Sequence, residues 1–203
     1  MAGESKLYGL VVSGGKSTRM GRDKSMLVYY KKPQRYHAHE LLATVCDRVF
    51  ISCNREQLPG INKNYTALPD QPAYRQSGPM AALLTAFTQH PGSDLLILGC
   101  DYPFVGTNDV RNFYYSIKPD TTAAAFYDYE QHSYEPLLAW YSSKTAPLLM
   151  NMYKTRNYSL QNFLQSNNAQ KYFPASSRTI TSVDTPEAFA AALTLLKKKH
   201  RSM

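Results

Sequence analysis

Apolar positions along this chain follow two alternating rhythms. Runs of strand length, Leu7 to Val12, Val49 to Ile51, Tyr65 to Leu68 and Leu95 to Leu98, are separated by stretches with helical spacing. Ala38, Leu41, Leu42 and Val45 form one helical stripe after Pro33. Met80, Leu83, Leu84 and Phe87 form another after Gly78-Pro79. Spacing of i, i+3, i+4 and i+7 puts all four side chains on one helix face. Proline suits a first helical position, where its missing N–H costs nothing. Met26 to Tyr30 reads as a short extended piece, and Asp109 to Ile117 as a further helix. Strands alternating with helices predict βαβ units and a mostly parallel sheet. Leu95 to Leu98, apolar without a break, suits a central strand covered on both faces.

Beyond residue 118 the pattern is mixed. Thr122 to Tyr127 and Glu135 to Tyr141 read as strands joined by a polar loop, Asp128 to Ser133. Pro147 to Tyr153 and Leu160 to Leu164 read as helices. In the last helix Thr185 is the cap, Pro186 the first residue, and Phe189, Ala192, Leu193 and Leu196 the buried stripe. No repeat, low-complexity segment or linker divides the 203 residues, so the chain reads as a single α/β domain. Its parts are a regular half (7–118), a mixed half (119–196) and a basic tail (197–203).

In an open parallel sheet, ligands bind beyond the carboxyl ends of the strands. Gly14-Gly15, Asn54, Asp70 and Asp101 each fall just past a predicted strand. The glycine pair leads into Lys16, Arg19, Arg22 and Lys24. Glycines let backbone N–H groups approach phosphate oxygens, and the cations neutralise their charge. This is neither the dinucleotide fingerprint nor a Walker A loop, which would need glycine where Leu10 stands. A carboxylate at Asp101 can hold Mg²⁺, which commonly joins one or two carboxylates to substrate phosphates, or it can cap a turn.

Composition narrows the function without choosing it. An apolar content of 43% with 12% aromatics describes a globular chain. No apolar run reaches the roughly 18 residues of a membrane span, and no leader segment is evident, so the expected home is the cytoplasm. The net charge of +8 favours anionic partners. The basic residues are not interleaved with an exposed aromatic face, which argues for a small anionic substrate over nucleic acid. Cys46, Cys53 and Cys100 lack metal or disulfide spacing and read as small buried apolar residues.

The longest specific string is Gly14 to Lys24, which reads Gly-Gly-x-Ser-x-Arg-Met-Gly-x-Asp-Lys. It resembles the signature of Rossmann-like nucleotidyltransferases, and within them the molybdenum cofactor guanylyltransferases (the MobA family). Gly99-Cys100-Asp101-Tyr102-Pro103 resembles that family's Cys-Asp-x-Pro motif, and Ser77 to Ala82 its Gly-Pro-Leu-Ala-Gly segment. Glu135-Pro136-Leu137, Arg156 to Leu160 and Val183 to Glu187 are similar to its Glu-Pro-Leu, Arg-Ser-Leu and Asn-Thr-Pro-Glu segments. Ser13, Met80, Ala82 and Asp184 depart from the family's alanine, leucine, glycine and asparagine.

The resemblance implies a three-layer Rossmann-like fold that transfers GMP from GTP to Mo-molybdopterin and releases pyrophosphate. It implies Mg²⁺ at Asp101, with Arg19, Lys24 and Asp101 catalytic. Nucleotide contacts would come from Val12, Ser13, Gly14, Gly15, Lys24, Asn54, Asp70, Gly78 and Asp101. The acceptor would meet Glu135, Arg156, Ser159 and Asp184 in the mixed half. Expected partners are GTP, Mo-molybdopterin and a molybdoenzyme or cofactor-delivery protein, with a monomeric chain and neither nucleic acid nor membrane. A relative using CTP or a sugar phosphate, or a non-catalytic nucleotide-binding protein, remains open on the sequence.

Overall fold

A computed structural model describes residues 5–13 and 20–201, the last four without side chains. Seven strands make one sheet: β1 (Leu7–Val12), β2 (Arg48–Cys53), β3 (Thr66–Pro69), β4 (Asp94–Gly99), β5 (Ala123–Asp128), β6 (Ser133–Tyr141) and β7 (Gln170–Tyr172). Their order is β3-β2-β1-β4-β6-β5-β7. β3, β2, β1 and β4 run parallel. β6 alone is reversed, pairing antiparallel with both β4 and β5, and β7 lies parallel to β5. The expected α/β class with a mostly parallel sheet is therefore present, with the mixed half adding the reversed strand.

The described residues form six helices, of which the first five pack on the sheet: α1 (Gln34–Leu42), α2 (Met80–Gln89), α3 (Thr107–Tyr115), α4 (Ala146–Lys154), α5 (Leu160–Ser166) and α6 (Pro186–Arg201). Successive residues of a strand point to opposite faces, so β1 and β4 serve two cores at once. Leu10, Leu95 and Ile97 pack with Met80, Leu83 and Leu84 of α2 and Phe163 of α5. Val11, Leu96 and Leu98 pack on the other face with Ala38, Leu41 and Leu42 of α1 and Phe113 of α3. Burying each of the larger side chains contributes about 1.5–3 kcal/mol. Gly9 lies where α1 presses closest, and a Cβ there would meet Leu42 Cβ and Val49 Cγ2 at 3.0 Å.

A third, smaller core joins distant parts of the chain. Val183 with Ala192 and Leu196 of α6 buries Met20, Leu27 and Tyr29, the residues that follow the glycine loop. Thr185 caps α6 as expected, its Oγ1 accepting the Ala188 N–H at 3.2 Å.

Three local expectations are corrected. The extended piece expected over Met26 to Tyr30 is instead a 3₁₀ turn at Lys24–Met26, followed by one antiparallel bridge between Val28 and Pro33. Asp23 makes this turn by accepting the Ser25 N–H at 2.9 Å, a cap that competes with extension. α1 ends at Leu42, so Val45 lies outside its helical stripe, and Pro33 precedes that helix as its cap, as Pro79 precedes α2. β7 was not anticipated, because Gln170-Lys171-Tyr172 is a polar edge strand without apolar alternation.

Candidate active site

The parallel strands β1 to β4 all point their carboxyl ends at one side of the sheet, which collects Ser13, Asn54, Asp70 and Asp101 there. Asp101 follows β4 and is held by a return strand-like contact, the Val183 N–H donating to its carbonyl at 2.8 Å. That contact delivers Asp184, whose carboxylate forms an ion pair with the Lys24 ammonium. Lys24, Asp101 and Asp184 thus meet, although Lys24 and Asp184 lie 160 positions apart in sequence.

Asp101 Oδ1 is shielded from solvent and has no hydrogen-bond partner. It lies over Gly99, where a built Cβ would stand 2.5 Å from it. Burial pushes the Asp101 carboxyl above the usual range, Lys24 and the residue's own N–H act against that shift, and Asp184 adds to it. Tyr102 Oη donates to Glu135 Oε2 at 2.6 Å, which brings the first turn after β4 to the start of β6. Glu135 is also pushed up, first by burial; the Tyr102 bond opposes this, and the Asp128 and Asp101 charges reinforce it. Asp70, which accepts from Ser52 Oγ at 2.8 Å, is raised by burial against that bond. Three carboxylates at one end of the sheet are therefore all short of compensation, a pattern that marks functional clefts.

The Asp101 oxygen suits a divalent cation, which prefers hard oxygen ligands. Among the described residues no cluster of three or more His, Cys, Asp or Glu could hold a metal by itself. The protein's share would be one or two carboxylates, with phosphate and water completing the shell.

The other expected site residues sort as follows. Gly14, Gly15 and Arg19 lie outside the described residues. Val12 ends β1, and the Ser13 hydroxyl donates its proton to the Ser52 carbonyl, so this serine has no hydroxyl proton left to offer the cleft. Asn54 turns inward, its Oδ1 accepting the Gln57 N–H at 2.9 Å. Gly78 has φ +58° at the entrance to α2, a conformation that glycine adopts without strain. Ala82 is only 2% exposed and belongs to the core under α2, so its methyl group faces protein. Asp184 lies on the Lys24 side of the cleft. Ser159 caps α5, accepting the Asn162 N–H at 3.1 Å. Arg156 follows α4 at φ +59°. Among the described residues neither Arg156 nor Ser159 hydrogen-bonds to the Lys24 cluster.

Two neighbours of the cleft escaped the sequence reading. Tyr29 has a buried, unpartnered hydroxyl. Its phenol is pushed up by burial and then by the Asp101 charge, against Arg22. It sat inside an apolar-looking run that carried no signal. Gln57 is the other. Its placement three residues after Asn54 is a turn spacing that could have drawn notice.

The likenesses to known proteins agree with this arrangement. Residues 9–171 match the family model of the MobA-like NTP transferase domain. The molybdenum cofactor biosynthesis bifunctional protein of Synechocystis sp. is 31% identical over 92% of this chain, and the match spans 53% of that longer protein. The probable molybdenum cofactor guanylyltransferase of Synechococcus elongatus is 30% identical over 69% of this chain and 74% of its own. In structure, molybdopterin-guanine dinucleotide biosynthesis protein A from Archaeoglobus fulgidus superposes with a TM-score of 0.72 at 17% identity, over 94% of this chain and 99% of that one. Sheet order, cleft and family match together show that this chain belongs to the MobA-like NTP transferase family.

Proposed function

We propose that the chain is a molybdenum cofactor guanylyltransferase, transferring GMP from GTP to Mo-molybdopterin. The observation that carries the reading is the meeting of Lys24, Asp184 and the unpartnered Asp101 oxygen at the carboxyl end of β4. Two named relatives in cofactor biosynthesis support the choice of acceptor.

A phosphate oxygen of the acceptor attacks the α-phosphorus of GTP. The bond to the β-phosphate bridging oxygen breaks, and pyrophosphate leaves with that electron pair. The reaction needs no protein nucleophile, so catalysis lies in alignment and in charge stabilisation. Lys24 acts as a point charge on the phosphates, exchanging Asp184 for them. Arg19, which can fork two oxygens, assists it. Asp101 is the residue that would hold a divalent metal, with Mg²⁺ the ion proposed, and a bound metal supplies Lewis-acid polarisation of the phosphoryl oxygens. Asn54, Asp70, Gly78 and the backbone from Val12 to Gly15 bind the nucleoside portion. Glu135, Arg156 and Ser159 serve the acceptor, and Asp184 borders both sites. With Ala82 turned into the core, its departure from glycine gives no argument against guanine.

Calorimetry of GTP, CTP and ATP, each with and without Mg²⁺, tests the nucleotide assignment. Mg²⁺-dependent preference for GTP supports it, preference for CTP moves the protein to the cytidylyl branch, and binding of none overturns it. Pyrophosphate release on adding Mo-molybdopterin then tests the acceptor.

A further inference from the structure

The Gln57 carboxamide joins three loops of the cleft. Its Oε1 accepts the Asn54 N–H at 3.1 Å. Its Nε2 donates to the Ser13 carbonyl and to Asp23 Oδ2, both at 2.9 Å. The Asn54 side chain returns the contact through the Gln57 N–H. These partners fix which way the amide points, since two acceptors face Nε2 and a donor faces Oε1.

Ser13 and Asp23 bracket residues 14–22, the stretch that holds the glycine pair and Arg19. Asp23 also caps the turn that carries Lys24, through its other oxygen. One side chain therefore ties the end of β1, the turn under Lys24 and the Asn54 loop to a common point. We infer that Gln57 is a positioning residue for the nucleotide, setting the spacing between the phosphate-binding Lys24 and the nucleoside-binding Asn54 loop. The inference rests on the reading of this cleft as a GTP site.

The chemistry admits a carboxamide and rejects its closest isostere. An ionised glutamate would present oxygens to the Ser13 carbonyl and the Asp23 carboxylate, with no donor to either. A protonated glutamate could donate again. Leucine has similar bulk and can do neither.

GTP binding is measured by calorimetry with Mg²⁺ and without acceptor, from pH 8 to 5.5, alongside melting temperatures. The proteins are the wild type, Lys24→Ala, Gln57→Leu, Gln57→Glu and Gln57→Glu combined with Asp23→Asn. Affinities are taken relative to wild type at the same pH. Gln57→Leu is expected to weaken GTP roughly 10- to 100-fold, the range for losing a hydrogen bond to a charged group. Gln57→Glu is expected to bind worst at pH 8 and to recover as the pH falls. Adding Asp23→Asn restores part of the loss, because the carboxamide now at position 23 can donate to the carboxylate now at position 57, with the roles exchanged.

Wild-type affinity in Gln57→Leu and Gln57→Glu, with Lys24→Ala impaired, would overturn the inference and leave the GTP reading standing. So would a pH-independent loss in Gln57→Glu that Asp23→Asn does not relieve, since that is the mark of general damage. If the wild type binds no GTP, the reading beneath the inference is itself gone.

Discussion

Gly99→Ala is the sharpest perturbation available to this cleft. Gly99 is not among the residues at positive φ, so alanine meets no backbone obstacle. A new Cβ would stand 2.5 Å from Asp101 Oδ1 and 3.2 Å from both Leu137 Cβ and Tyr102 Cε2. Carbon and oxygen rest at about 3.3–3.6 Å, so the carboxylate must move by about 1 Å. It can do so by side-chain rotation, which spares the fold. The slighter crowding of Leu137 and Tyr102 costs about 1 kcal/mol, at the low end for overpacking. For a chain of this size that lowers the melting temperature by about 2–4 °C. Activity should suffer far more, since a misplacement of about 1 Å can cost roughly 100-fold in rate. The assay is steady-state pyrophosphate release at saturating substrates and Mg²⁺, beside a thermal melt. Gly9→Ala is the control: its Cβ meets Leu42 and Val49 deep in the core, so it should lower the melt by more and leave kcat unchanged. Gly99→Ala with kcat within about threefold of wild type would refute the claim that the Asp101 position governs turnover.

Other predictions follow from the same geometry. The Asp101 carboxyl is raised in the folded chain, so its contribution to stability is fullest below the unfolded value near 3.8 and is lost as pH rises through the folded value. Asp101→Asn should therefore melt higher than wild type at pH 7.5, lose that advantage below about pH 4, and show no Mg²⁺-dependent turnover; a lower melt at pH 7.5 would contradict the sign. Arg156 occupies the left-handed position of a helix-ending motif, its N–H donating to the Tyr153 carbonyl at 3.0 Å and the Asn157 N–H to that of Met152 at 2.9 Å. Arg156→Gly should gain about 1 kcal/mol in urea denaturation by relieving that conformation, while raising the KM for the acceptor alone if Arg156 serves it. Burial pushes the Cys53 thiol up to about 11 and the Cys100 thiol well above its ordinary value, so both should resist a thiol reagent at pH 8 until denaturant is added. Asp184→Ala should keep or tighten GTP binding while Lys24→Ala weakens it, since it removes the carboxylate that Lys24 exchanges for phosphate; equal losses in calorimetry would show that the carboxylate itself serves the nucleotide.

The regular half was legible because its physics is local. Leu95 to Leu98 is apolar on both sides because helices cover both faces of β4. The glycines and acids that end such strands mark the binding edge before any contact is known. What escaped depends on who meets whom in space. Asp184 resembled part of a helix start, and only the return of the chain to Asp101 sets it against Lys24. Nothing at Ser13 announces that its hydroxyl turns to Ser52, nor at Ala82 that its methyl group belongs to the core. β7 stayed hidden because an edge strand half open to water needs no apolar alternation.

The small core beneath α6 bears on the order in which the protein is completed during synthesis. All the described strands and five of the six described helices precede residue 183, so the sheet can form while the remainder is still being made. Tyr29, Leu27 and Met20 are covered by Val183, Ala192 and Leu196, and the Lys24 ammonium pairs with Asp184. A ribosome-bound chain lacking these residues would leave the turn that carries Lys24 without this apolar cover. That cover would arrive in one late step, as the last helix docks on the turn that follows the first strand.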